Sequence, residues 1–157
     1  MRTLGDLQLI LSAAGKYTGT GVNHAAESFA GDLELRTLEG GSAALLRYVA
    51  TRTDGKHLHA ETSLIACDAI GELCLWPAME ELPHLLVHRL LSRSDAPAGA
   101  TRFVFSSGQR DDRTSFREEI VLELQVGRGV FGYRHSWGLP GGEFDERSWC
   151  RFAEREG

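Results

Sequence analysis

The chain has 157 residues, a formal net charge of −5, and 42% hydrophobic against 25% charged residues. That composition fits one globular domain spanning 1–157 with a sizeable core, and excludes a disordered or fibrous chain. The acidic balance argues against nucleic acid as a partner, because non-specific binding relies on Lys and Arg neutralising phosphates. No apolar run reaches the roughly 18–20 residues of a membrane-spanning helix, so no membrane association is expected.

In chain order, residues 1–14 come first, as MRTLGDLQLILSAA. Asp6 and Gln8 interrupt the apolar run that a signal peptide would need, so a short helical segment packed on the domain is predicted, and the cytoplasm is the expected location. GKYTGTG over 15–21 follows. A dinucleotide fingerprint needs a third glycine in register and a helix behind it, and a phosphate loop needs Gly-Lys-Ser/Thr, and neither is present. Alternation suits a strand: Gly15, Gly19 and Gly21 leave one face bare apart from Tyr17. A bare face lets a backbone or a ligand approach closely, and lets a strand bend at a barrel corner.

Beyond residue 16 one local grammar repeats: about ten residues rich in β-formers, then a turn signal. FAGDLELRTLEGG ends at Gly40-Gly41, SAALLRYVATRTDGK at Asp54-Gly55, and KHLHAETSLIACDAIGE near Asp68–Gly71. ELCLW stops at Pro77. Residues 78–91 read as helix or strand, because Leu82, Leu85, Leu86 and Leu90 suit a helical face while the neighbouring segments are strands. TRFVFSSG, TSFREEIVLELQVGRG, VFGYRHSWGLPGG and EFDERSWCRFAE complete the chain. The prediction is an all-β fold of about ten antiparallel strands in an up-and-down, lipocalin- or calycin-like barrel, with a short N-terminal helix. Ten strands enclose more room than side chains usually fill, so a cavity is expected.

Cys67, Cys74 and Cys150 form no CxxC pair, so buried free thiols are expected rather than a disulfide framework or zinc site. His84 and His88 stand four apart, but no third ligand and no HExxH accompany them, and no metal is predicted.

Two stretches carry a resemblance. G-x-Y-x-G-x-G at the N-terminus, followed by DGKHLHAETSLI, resembles the nitrobindin and fatty-acid-binding-like group of calycin barrels. That group has G-x-W-x-G-x-G and then D-G-x-x-x-H-x-E-x-G. LLRYVATRT resembles the strand leading into the second motif, and YRHSWG with EFDERSWCRF occupies the place of the last two strands. Tyr17 replaces the tryptophan, Ser63 replaces the glycine after H-x-E, and VNHAAES lacks the usual proline-containing loop. Haem-binding members use a histidine of the last strand on iron, and EFDERSWCRFAE holds none. The resemblance therefore implies a barrel without a haem ligand in its customary place, and no cofactor is predicted, haem being disfavoured.

Alternation in KHLHAETSLIAC divides His57, His59, Glu61, Ser63, Ile65 and Cys67 from Leu58, Ala60, Thr62, Leu64 and Ala66. Pattern alone points the first set at water; the resemblance instead turns His59 into the pocket. Glu61 on the same face could then fix the imidazole tautomer and raise its pKa, making an anchor for a carboxylate, phenol or carbonyl. Phe131, Tyr133, His135 and Trp137 share one face of a later strand. In the last strand, Phe144, Glu146, Ser148, Cys150 and Phe152 are the expected inward set. Trp76 is placed at a rim. The predicted ligand-binding residues are Tyr17, His59, Glu61, Trp76, Tyr133, His135 and Trp137. The expected function is an intracellular protein holding a small apolar or aromatic molecule, fatty-acid-like or similar, without a catalytic residue; a homodimer is compatible with it. The alternatives are a small lipocalin-like enzyme with His59 as general base oriented by Glu61, and a haem protein with a relocated ligand such as His135.

Overall fold

The computed structural model describes the backbone of residues 2–156 and side chains from Leu4 onward; Met1 and Gly157, the ends of the expected domain, lie outside the described residues. A helix, α1 (Arg2–Leu11), precedes ten strands: β1 (Gly15–Asn23), β2 (Ser28–Thr37), β3 (Ala43–Arg52), β4 (His57–Cys67), β5 (Leu73–Met79), β6 (His88–Ala96), β7 (Ala100–Ser107), β8 (Arg117–Gln125), β9 (Val130–Gly138) and β10 (Asp145–Glu154). Each strand pairs antiparallel with the next, and β1 closes on β10 to complete one barrel. Closure removes the sheet edges that an open meander would expose.

The glycines of β1 make that closure close-fitting. A methyl added to Gly19 would lie 2.0 Å from the Arg151 carbonyl oxygen, and one on Gly21 would lie 2.2 Å from that of Trp149. The bare face thus serves the backbone of β10, not a ligand. α1 lies across the opposite end from the cavity described below. Leu7 and Ile10, three apart, are buried in the core with Ala13. Asp6 pairs with Arg93 of β6 at 3.0 Å, fastening the helix to the wall. Phe103, Phe105, Phe131 and Phe152, all fully buried, fill the middle of the barrel.

Residues 78–91 form no helix: β5 runs through Pro77 to Met79, an irregular stretch follows, and β6 starts at His88. β5 pairs with β6 only at Cys74 and Leu75. Past that point its β6 side is unpaired, so the N–H that Pro77 lacks removes no ladder bond. His84 is exposed while His88 is buried, so the two do not share a helical face. Among the described residues no group of three or more His, Cys, Asp or Glu is arranged to hold a metal ion. Cys67, Cys74 and Cys150 are free thiols. No described helix is long and apolar enough to cross a membrane.

Candidate functional site

Above the packed middle the barrel holds a cavity of ≈ 360 Å³. Its walls are mainly apolar, with Phe29, Leu58, Met79, Phe116 and Trp137 among them; His59, His135, Tyr48 and Glu81 interrupt them. A mostly apolar recess with a few convergent polar groups is the usual form of a small-molecule site.

The first polar assembly is built on β4. Here the polar face points inward: Glu61, Ser63 and Ile65 are buried while Thr62 is exposed, so the water-facing reading of this strand by alternation is corrected. The physical reason is that the interior supplies partners for these polar atoms. Ser63 donates to one oxygen of Glu61, and Tyr133, across the barrel on β9, donates to the other. His59 places Nε2 at 3.4 Å from Glu61 and Nδ1 at 2.8 Å from Glu81 in the segment after β5. With a carboxylate at each ring nitrogen the histidine is held as an imidazolium. Burial opposes that charge, but hydrogen bonds to Glu61 and Glu81 outweigh it, and the pKa is pushed up to about 10. Glu61, for its part, is penalised by burial yet held below the usual carboxylate range by His59, Ser63 and Tyr133. Held protonated near neutral pH, His59 is a hydrogen-bond donor, which does not suit the role of general base.

The second assembly joins His135, a predicted ligand-binding residue, to Glu118 and His88, which were not expected in the site. Glu118, the second residue of β8, is 1% exposed. His135 of β9 donates from Nε2 to Glu118 Oε2 at 2.7 Å. On the other side, His88 Nε2 lies 2.6 Å from Glu118 Oε1, although off the line of a hydrogen bond. His88 Nδ1 donates to the Leu86 carbonyl at 2.9 Å. Burial raises the pKa of Glu118, but the two histidines prevail and hold it at about 2. These proton positions follow from the hydrogen-bond network. They leave His135 Nδ1, which has no described protein partner, as the open nitrogen of a cavity-lining ring.

Tyr48 of β3 lines the same space, its ring 4.7 Å from that of Tyr133 and 5.5 Å from that of His59. Its hydroxyl bonds to no described protein group. Burial first, then Cys150 and Glu61, raise its pKa, so it stays a neutral phenol. At the mouth, the Arg147 guanidinium stacks over Trp137 at 4.0 Å. A bulge between Glu146 and Ser148 brings both Arg147 and Ser148 to the cavity. The mouth loops are pinned by the buried Arg117, which donates to the carbonyls of Arg110, Leu139 and Gly142 at 3.1, 2.7 and 2.7 Å.

Of the sequence-predicted residues, His59, His135 and Trp137 line the cavity, and Glu61 and Tyr133 lie directly behind His59. Tyr17 does not join them: it sits at the α1 end, its hydroxyl donating to the Ala13 carbonyl. Trp76 does not either, because Leu75 beside it is buried inward and alternation turns Trp76 to the outer face. In β10, Ser148, Cys150 and Phe152 face inward as expected, but the bulge leaves Glu146 outside against Arg134, and Phe144 lies under Arg110 before the strand begins. Tyr48 carried no signal beyond its place in LLRYVATRT, and Glu118 none beyond its place in TSFREEIVLELQVGRG.

No protein-family model matches the chain, and no curated protein matches it. Among solved structures, the crystal structure of Rv2717c from M. tuberculosis superposes with a TM-score of 0.73 at 13% identity, covering 99% of each chain. A de novo designed fluorescence-activating β-barrel aligns with a TM-score of 0.45 at 11% identity, over 90% of this chain and 93% of the design. At this identity the first likeness concerns the fold: a ten-stranded antiparallel barrel from end to end.

Proposed function

We propose that this protein is a binding barrel that holds a small aromatic or apolar molecule with a polar head group. The observation that carries the reading is the cavity itself, apolar around most of its wall and carrying three polar groups at its inner end. Those groups are the His59 imidazolium, the Tyr48 hydroxyl and the open Nδ1 of His135. The Tyr48 hydroxyl and His135 Nδ1 have no described protein partner and stand beside the His59 imidazolium, so a ligand's polar head group can take up hydrogen bonds there. The nitrobindin-like resemblance of GKYTGTG and HLHAETSLI supports the same architecture.

Haem fits this donor set poorly. Of the β10 residues that face inward, only the Ser148 hydroxyl and the Cys150 thiol could approach iron, and burial pushes the Cys150 thiol up to about 12. Both ring nitrogens of His59 face carboxylates. His135 Nδ1 lies on a ring whose centre is 6.0 Å from that of the protonated His59, a cation that opposes a ferric centre.

The test is uptake of an apolar panel followed by tryptophan fluorescence, with Trp137→Phe as the reporter control and hemin as one member. Saturable quenching by small aromatic molecules, largely lost in Trp137→Phe, is expected. No uptake of any member would refute the reading, and a stoichiometric Soret band lost in His135→Ala would replace it with a haem site.

A second reading is favoured by His135 alone. A cavity-facing nitrogen whose ring is oriented by a buried carboxylate is the arrangement of a general base. Proton exchange from an acidic C–H of a bound ketone, abolished in His135→Gln, would establish it.

A further inference from the structure

The segment after β5 places a second carboxylate on the cavity wall, besides that of the buried Glu118. Glu81 lines the space, its side chain is 51% exposed, and it accepts from His59 Nδ1 at 2.8 Å. Its partner is 15% exposed and is held from behind by Glu61, which is wholly buried. The two carboxylates of this triad are therefore not equivalent. Glu61 is locked by Ser63 and Tyr133, whereas Glu81 has no other described side-chain partner and stands between the imidazolium and solvent.

We propose that Glu81 is an internal stand-in for the ligand's head group, so that the cavity takes small aryl carboxylates whose carboxylate displaces Glu81 from His59. This rests on the binding reading above and adds the class of ligand and a latch that regulates entry. The exchange is nearly isoelectronic: one carboxylate leaves Nδ1–H and another takes its place, so the charge balance around Glu61 is preserved. Glu81 swings toward water, where its charge is solvated at little cost, and the incoming apolar body covers Phe29, Phe116 and Trp137. The Arg147 guanidinium at the mouth favours approach of an anion over a cation. A neutral alcohol of the same shape cannot replace the charge-assisted bond, which is roughly twice as strong as a neutral one. It therefore binds beside the closed latch without displacing it. Loss of the latch charge should thus favour the acid and leave the alcohol unchanged.

The probes are 2-naphthylacetate and 2-naphthaleneethanol, an anion and a neutral molecule with the same aromatic body, titrated by calorimetry into the wild type, Glu81→Gln and His59→Gln. The wild type is expected to prefer the acid. In Glu81→Gln, half-exposed and so expected to fold normally, preference for the acid over the alcohol should rise about tenfold, the change that weakening one charged hydrogen bond produces. In His59→Gln that preference should vanish while the alcohol still binds. Equal binding of both probes, or an unchanged preference in Glu81→Gln, would overturn the latch and leave the binding cavity standing. Failure of both probes to bind any of the three proteins would overturn the latch together with the reading on which it rests.

Discussion

Replacing Glu118 with Gln tests whether the buried His88–Glu118–His135 assembly holds charge. In the folded chain this carboxyl is held at about 2, against an ordinary 4.5. At about 1.4 kcal/mol per pH unit, the difference amounts to about 3 kcal/mol of stability. The sign follows from the direction. A depressed folded pKa stabilises above pH 4.5, where the unfolded group is also ionised, and that contribution is lost as pH falls toward 2. On this basis about 1 kcal/mol is gone by pH 4 and about 2 kcal/mol by pH 3. Glu118→Gln cannot ionise, so it should be less stable than wild type by about 3 kcal/mol at pH 7, with the gap narrowing on that schedule. Urea unfolding followed by tryptophan fluorescence at pH 7, 5, 4 and 3.5, with the slopes compared, measures it. A gap that stays constant from pH 7 to 3.5, or one below about 1 kcal/mol at pH 7, would refute the assignment of a charged Glu118.

Further predictions concern the frame that holds the cavity. One substitution type should act with opposite signs at two positions: Gly19→Ala should destabilise by about 3 kcal/mol, because its methyl meets the Arg151 carbonyl oxygen at 2.0 Å and backbone cannot step aside. Gly5→Ala, in α1 with nothing within 4 Å of the new methyl, should stabilise by up to about 1 kcal/mol through helix propensity. Thermal unfolding of the pair against wild type reads both. Arg117→Met keeps the aliphatic length but leaves the Arg110, Leu139 and Gly142 carbonyls without their donor. It should cost about 3 kcal/mol or more in urea and weaken binding of the naphthyl probes by loosening the mouth; unchanged stability would show that water replaces the guanidinium there.

The barrel was legible in the chain because its causes are local. Regularly spaced turn signals such as Gly40-Gly41 and Asp54-Gly55 delimit the strands, and Gly40, Gly41 and Gly55 take the positive φ those turns require. The bare face of GKYTGTG announced a close approach, though whether backbone or ligand would fill it depended on the partner strand. The resemblance turned His59 inward, correctly, where alternation alone turned it toward water.

What remained illegible is what lies between distant strands. Pro77 reads as a stop, but an unpaired edge lets β5 pass through it, and edges are a property of the closed sheet. Tyr17 and Trp76 have the chemistry of ligand contacts, yet their height along the barrel and their side of the wall exclude them from the cavity. Glu118 carries no signal beyond its place in TSFREEIVLELQVGRG, and only the meeting of β6, β8 and β9 makes it a buried carboxylate between two histidines. Hydrophobic period, turn chemistry and glycine placement therefore determined the strands and their order from sequence alone. The positions of charges in the interior were decided by tertiary structure, because a buried ion survives only where residues far apart in the chain bring its partners within hydrogen-bond reach.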